Sequence, residues 1–455
     1  MKSSLAEIQP WISNAVVTGD VAFDGVSTDS RAVALGNLFV ALRGERFDAH
    51  AFLEDVSAKG VAAVVAERVP EGLRVPALIV PDTRVALGEI ARHWRRQFAI
   101  PVIGVTGSNG KTTVKEMIAS ILTAAFGGGH CLATRGNLNN DIGVPLTLMR
   151  LEAPCRAAVI ELGMNHPGEI AVLSGIAQPT VGLVNNAQRE HQEFMASVAA
   201  VAQENGAVIG SLPADGCAVF PADDPFTALW RGYAGKRKTL TFGLSVDADV
   251  NCTYQPNAFG SDLQVMAQGQ SFGVRLAAAG VHNVRNALAA IACALAIGIS
   301  AEAVTRGLES FAPVNGRLQR KTATCGALVI DDTYNANPDS VRAAIDVLAQ
   351  AASPRILVLG DMGEVGAEGQ QFHEEVGVYA QECGIDYLLT TGDLASHAAR
   401  AFGADGRHFS DIAGIRQALD TILTPAATVL VKGSRFMRME RVVQHLLGQS
   451  IQESH

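Results

Sequence analysis

The run Gly104-Val-Thr-Gly-Ser-Asn-Gly-Lys-Thr-Thr113 holds the residue types that grip a nucleoside triphosphate. Its glycines let the backbone turn sharply enough for several N–H groups to aim at phosphate oxygens where a helix begins. Lys111 then bridges the terminal phosphates, and Thr112 offers its hydroxyl to magnesium. The usual spacing puts a glycine five residues before the Gly-Lys pair, where this chain has Val105. The loop is therefore a shortened variant, and Gly107, Ser108, Asn109, Gly110, Lys111, Thr112 and Thr113 are its expected contacts with ATP and Mg2+. Glu161 follows the apolar run Ala157-Ala-Val-Ile160, and His191 comes shortly after Val181-Gly-Leu-Val184. Ligands of open α/β sheets collect at the carboxyl ends of strands, so both side chains are placed to reach a magnesium on Thr112. Taken singly, each also fits a solvated strand cap or a satisfied histidine. The expected catalytic set is Lys111, Glu161 and His191, and the expected metal set Thr112, Glu161 and His191.

The elements that must position these groups are legible around them. Val102-Ile-Gly-Val-Thr106 reads as a strand leading into the loop. Apolar residues at Val114, Met117, Ile118, Ile121, Leu122 and Ala125 mark one face of the helix that follows. Strand-like runs alternating with helical stretches predict an α/β chain with a parallel central sheet. The 455 residues exceed one ordinary core. Three domains are expected: 1–97, closing on the basic segment Ala91 to Phe98; 98–313, with the loop; and 314–455, where the pattern restarts after Pro313-Val-Asn-Gly316.

Composition narrows the function classes. A net charge of −9 gives no general attraction for nucleic acid, which is not an expected partner. The seven cysteines are scattered without a Cys-x-x-Cys spacing and read as reduced core thiols. The amino terminus lacks a charged-then-apolar leader pattern, and Ala287 to Ile299 falls short of the roughly 20 residues a bilayer requires. A soluble, cytoplasmic protein without membrane contact is expected, and a monomer.

Three segments together resemble the Mur ligases: Thr106 to Thr113, Glu161-Leu-Gly-Met-Asn165 and Gly280-Val-His-Asn-Val-Arg-Asn-Ala287. Gly136 to Pro145, Asp331 to Ser340 and Leu359-Gly-Asp-Met-Gly-Glu364 are similar to the branch that adds D-alanyl-D-alanine to UDP-N-acetylmuramoyl-tripeptide in peptidoglycan synthesis. The resemblance implies an amino-terminal UDP-binding domain, a central P-loop ATPase-type domain and a carboxy-terminal Rossmann-like domain. It implies ATP contacts at Asn283, Asn286, Arg317 and Asp332. It implies substrate contacts at Ser30, Arg31, Asn137, Asn139, Asn140, Tyr334, Asn335, Asn337, Lys432 and Arg435. Read without it, Gly136 to Asn140 fits turn chemistry as well as it fits recognition, and a basic pair such as Lys432 and Arg435 fits a solvated helix cap.

One position departs from the family pattern. Many Mur ligases carry a carbamylated lysine about fourteen residues after the histidine, and this chain has Asn205, with no lysine between Lys115 and Lys236. The expectation is a second metal held by ATP, water and the adjacent Glu204, with no carbamate. The Asp-Asn-Pro-Arg signature of the diaminopimelate-adding ligase is not found, and the first hundred residues argue against a folylpolyglutamate synthase. Another amino-acid-adding Mur ligase and a non-catalytic ATP-binding regulator remain as alternatives.

Overall fold

Apolar runs with every residue buried pair in parallel where helices cover both faces of a sheet. Val102–Thr106, Ala157–Glu161, Val181–Val184 and Cys217–Pro221 are such runs. The computed structural model, which describes residues 1–45, 47–190, 193–257 and 260–449, sets them side by side in a nine-stranded sheet. Val102–Thr106 lies between Ala157–Glu161 and Val181–Val184, with Gly104 opposite both Ile160 and Gly182. That register brings the phosphate loop, Glu161 and the segment after Val184 out together at one edge.

The far side of this sheet differs from the expected all-parallel arrangement. Val250–Asn257, Gly260–Ala267 and Gln270–Leu276 form an antiparallel meander, and burial alternates along Gly260–Ala267 because one face is wet. Polar residues at every second position hid these strands from a search for continuous apolar runs.

A five-stranded sheet lies ahead of the central one, and a six-stranded sheet follows it. In the latter, Leu328–Asp332, Thr428–Lys432, Arg355–Gly360, Tyr387–Thr391 and Gly406–Phe409 are parallel, and Gln319–Thr322 runs antiparallel at the edge. With a further two-stranded pair, Lys2–Ser4 and Ala22–Asp24, the mixed α/β architecture matches the expected fold class.

The Lys111–Phe126 helix buries Val114, Met117, Ile118, Ile121 and Leu122 against the sheet, as its spacing predicted. Each contributes about 1.5–3 kcal/mol of transfer free energy. The alanine-rich run belongs to the Val281–Ala296 helix, where every residue from Ala287 to Ala294 is fully buried. Among the described residues no helix is long and apolar enough to cross a membrane. The basic Thr83–Arg95 helix is stapled to the connection that follows it and to the end of the Glu169–Ala177 helix: buried Arg95 donates to the carbonyls of Phe98 (2.6 Å), Ile100 (3.2 Å) and Ala177 (3.3 Å). The thiols are all free, but Cys325 is exposed in the turn before Leu328–Asp332, so it is no core thiol.

Candidate active site

The phosphate loop takes a shape that only glycine tolerates at two points. Gly107 has φ +135° and Gly110 φ +81°, and a Cβ on Gly110 would stand 2.4 Å from Asn286 Oδ1. Asn286 Oδ1 accepts instead from Asn185 Nδ2 (2.9 Å), which also donates to the Asn109 carbonyl (2.8 Å). Asn186 adds a bond in each direction with the Asn109 backbone, both at 2.9 Å. The turn is thus fixed from behind. Lys111 Nζ donates to the carbonyls of Gly107 (2.5 Å) and Ser108 (3.0 Å) and to the carboxylate of Glu190 (2.9 Å).

Glu161 is 2% exposed and ends its strand beside the loop. Its Oε1 accepts from the Thr112 hydroxyl (3.2 Å) and Asn139 Nδ2 (2.9 Å), while its buried Oε2 has no partner among the described residues. The Thr112 hydroxyl in turn accepts from Arg317 Nη2 at 2.9 Å. The Arg317 guanidinium lies over the Tyr334 ring, 4.2 Å from its centre, a cation–π contact from the following domain. A threonine hydroxyl and a dry carboxylate oxygen are hard donors of the kind Mg2+ takes. Among the described residues no three His, Cys, Asp or Glu side chains group so as to hold a metal ion.

Two cavities flank the loop. The larger, about 560 Å³, is lined by Ser108 to Thr112, Asn137, Asn139, Asn140, Glu161, Glu190, Arg317, Tyr334, Asn335, Asn337 and Arg435. The smaller, about 300 Å³, is lined by Thr113, Asn283, Asn286, Arg317, Asp332, His282 and Asp224. Burial pushes the His282 imidazole down to about 4, against the pull of Asp332, so it is neutral near pH 7. Burial likewise raises the Asp224 carboxyl above its ordinary value.

Several residues singled out in the sequence sit elsewhere or have other duties. Lys432 is buried and donates to Asp332 Oδ2 (2.6 Å) and the Asn335 carbonyl (2.9 Å), so its charge meets Asp332 and faces neither cavity. Asn140 Oδ1 caps the Gly143–Leu148 helix through the Gly143 N–H (2.9 Å), the turn chemistry weighed for it. Ser30 and Arg31 lie away from both cavities. The Arg31 guanidinium folds onto Asp29 at 2.9 Å and holds that carboxyl down at about 2. His191 lies outside the described residues.

The expectation for Glu204 is overturned. Its two oxygens accept from the N–H groups of Gly168 and Ile170, both at 2.8 Å, capping the Glu169–Ala177 helix and leaving it unsuited to a metal. Asn205 is fully buried; its Oδ1 accepts from the Thr106 hydroxyl (2.6 Å), and its Nδ2 has no partner among the described residues.

Sequence reasoning missed the strap from Asn185 to Glu190. Ser108 and Gln188 bond in both directions, at 2.9 and 3.3 Å, and Arg189 reaches Asp339 and Glu375 in the following domain. Asn109 and Asn337 also bond across that boundary at 2.9 Å. The signal was present: Asn185 and Asn186 directly follow the apolar run Val181 to Val184, as Glu161 follows Ala157 to Ile160.

The chain matches three family models: "Mur ligase family, catalytic domain" over residues 22–95, "Mur ligase middle domain" over 105–294, and "Mur ligase, glutamate ligase domain" over 316–435. It is 40% identical to the UDP-N-acetylmuramoyl-tripeptide--D-alanyl-D-alanine ligase of Escherichia coli K12, across 97% of this chain and 98% of that protein. It resembles the crystal structure of MurF from Acinetobacter baumannii with TM-score 0.93 and 36% identity, covering 99% of each chain. The Thermotoga maritima MurF ligase in complex with ADP gives TM-score 0.83 and 28% identity, over 93% of this chain and 97% of that one.

Proposed function

This chain belongs to the Mur ligase family, and we propose that it joins D-alanyl-D-alanine to UDP-N-acetylmuramoyl-tripeptide at the expense of ATP, a step of peptidoglycan synthesis. The observation that carries the reading is Thr112, whose hydroxyl ties the phosphate loop to Glu161 on one side and to Arg317 on the other. A phosphate seat closed by the neighbouring domain beside a 560 Å³ cavity suits transfer of phosphate to a bulky acceptor. Near-full-length likeness to ligases of that specificity selects the acceptor and the amine.

An amide does not form readily from a carboxylate and an amine, because oxide would have to leave. The tripeptide's terminal carboxylate therefore attacks the γ-phosphorus of ATP, the bond to the β-phosphate oxygen breaks, and ADP departs. The dipeptide amine next adds to the acyl carbon; the tetrahedral intermediate loses inorganic phosphate and a proton. The chain's part is positioning and charge neutralisation. Lys111 turns from the loop carbonyls and Glu190 to the phosphates, and the loop N–H groups hold them. Arg317 meets charge developing on the transferred group. Asn283, Asn286 and Asp332 take the nucleoside in the smaller cavity, and Asn137, Asn139, Tyr334, Asn335 and Arg435 face the peptide substrates in the larger one. Thr112, Glu161 and His191 would hold Mg2+, which supplies electrostatic stabilisation to the phosphates when bound.

The proposal further includes domain bounds at 1–97, 98–313 and 314–455, uridine-diphosphate recognition by the first domain through Ser30 and Arg31, cytoplasmic residence with its substrates, and a monomeric enzyme. The test is phosphate release from ATP with both substrates, omitting each in turn. Turnover that requires both supports the reading; equal turnover without the dipeptide, or with a single amino acid in its place, overturns it.

A further inference from the structure

Lys115, which the mechanism above does not use, has its side chain fully buried in the helix that begins at the phosphate loop. Taking an ammonium out of water is costly, and lysine is rarely found wholly inside a protein. A methionine would fill the same space without that cost. Glu116 pairs with the ammonium, but the Glu116 side chain is partly exposed, so water screens much of the attraction. The other partner is the Thr134 carbonyl, which accepts from Lys115 Nζ at 2.8 Å in the interior.

Thr134 is a junction. Its hydroxyl accepts from the Glu161 N–H (3.0 Å), and its own N–H donates to the Val159 carbonyl (3.2 Å), which laces it to the strand that ends at Glu161. It directly precedes Arg135 to Asn140, the turn from which Asn139 Nδ2 reaches Glu161 Oε1 (2.9 Å) and the Asn139 carbonyl accepts from the Gly163 N–H (2.8 Å). Lys115 comes three residues after Thr112, on the same side of the helix, and helical side chains lean toward the helix start. The helix thus grips one unit twice: Thr112 bonds the Glu161 carboxylate at 3.2 Å, and Lys115 bonds the residue that holds the Glu161 backbone.

We propose that Lys115 is a positioning residue for phosphoryl transfer: through Thr134 it sets the Glu161 carboxylate, and the turn that carries Asn139, against Thr112 of the phosphate loop. This rests on the ATP-ligase reading above. The loop is held from its other side by Asn185 and Asn186, so losing the lysine misplaces Glu161 and leaves the nucleotide seat intact. A displacement of about 1 Å is enough to cost about 100-fold in rate.

The test uses the full-length chain, steady-state phosphate release with both substrates, and calorimetry of a non-hydrolysable ATP analogue. Lys115→Met should lower kcat about 10- to 100-fold, with the KM for ATP and the analogue's affinity within about threefold of wild type. Thr134→Val, which lacks the hydroxyl, should lower kcat in the same way, and Thr134→Ser, which keeps it, should not. In a Glu161→Gln background Lys115→Met should cost less than about threefold more, because both changes remove one alignment. Ile118→Val, a core change on the same helix, should lower Tm and leave kcat as it is. A Lys115→Met kcat near that of wild type, an effect that multiplies in full with that of Glu161→Gln, or a raised KM with kcat unchanged would each overturn the proposal. Should Lys115→Met not yield folded protein, Lys115→Gln, one bond shorter and uncharged, is read by the same criteria. A wild-type chain that releases no phosphate with both substrates present would sink the ligase reading instead.

Discussion

Arg189 grips Asp339 across the domain boundary with three hydrogen bonds: its backbone N–H donates to Oδ2 at 2.9 Å, and Nε and Nη2 donate to Oδ1 at 3.1 and 2.6 Å. The same guanidinium reaches Glu375 at 2.8 and 3.1 Å, and Arg342 supports that carboxylate at 2.9 Å. The clamp joins the two domains through protein groups alone. Arg189→Ala should therefore weaken domain docking by about 1–3 kcal/mol and enlarge the radius of gyration in X-ray scattering of the nucleotide-free chain. An unchanged scattering profile would show that the clamp does not hold the domains together.

The clamp also has a pH signature. Hydrogen bonding from Arg189 holds the Glu375 carboxyl below its ordinary value, despite some burial. A group whose folded pKa is depressed gives stability that is present above its unfolded pKa and lost as pH falls through the folded one. The stability gap between wild type and Glu375→Gln should be open at pH 7 and closed below the ordinary carboxylate range. Denaturant titrations at both ends of that window measure it, and a gap independent of pH would refute the assignment.

His373 pins the segment that carries Glu364. Buried completely, its Nε2 accepts from the Met362 N–H (3.0 Å) and its Nδ1 donates to the Gly369 carbonyl (2.6 Å), so the ring is neutral. Burial lowers its pKa. The unfolded chain then binds the extra proton first, and this contribution to stability, full above about pH 6.5, declines as the pH is lowered. Nitrogen NMR should find the Nδ1-protonated neutral tautomer persisting below pH 6.5; an imidazolium there would contradict the geometry.

Glu161→Gln keeps the Asn139 and Thr112 contacts sterically possible while removing the charge. Turnover should fall about 100-fold or more with little change in melting temperature. Near-normal turnover would remove Glu161 from the reaction.

Bicarbonate should be dispensable. With Asn205 in a neutral bond to Thr106 and no lysine from 116 to 235, no carbamate can form at this place. Activity in carbon-dioxide-free buffer should match the untreated control, and a sharp drop restored by bicarbonate would refute this.

How far the sequence spoke depends on how local each signal was. The loop, its strand and helix, and Glu161 were legible because each is written within a few adjacent residues and one periodicity. Lys432 was misjudged because its partner, Asp332, is 100 residues away and only the six-stranded sheet brings them together. Glu204 looked available because its neighbours in sequence are not the helix start it caps. The strap escaped notice since Gln188, Arg189 and Glu190 are ordinary surface types whose roles come from Ser108, Lys111 and Asp339 across long sequence gaps. The antiparallel meander lacked the continuous apolar run by which buried parallel strands are found.

The bond between Asn109 and Asn337 has a thermodynamic consequence. One residue belongs to the phosphate loop and the other caps the Pro338–Ala349 helix, so occupancy of the loop and seating of the last domain share a contact. Linkage is reciprocal: whatever factor nucleotide imposes on domain seating, seating imposes on nucleotide affinity. A small molecule wedged between these two amides would thus lower ATP affinity by unseating the last domain.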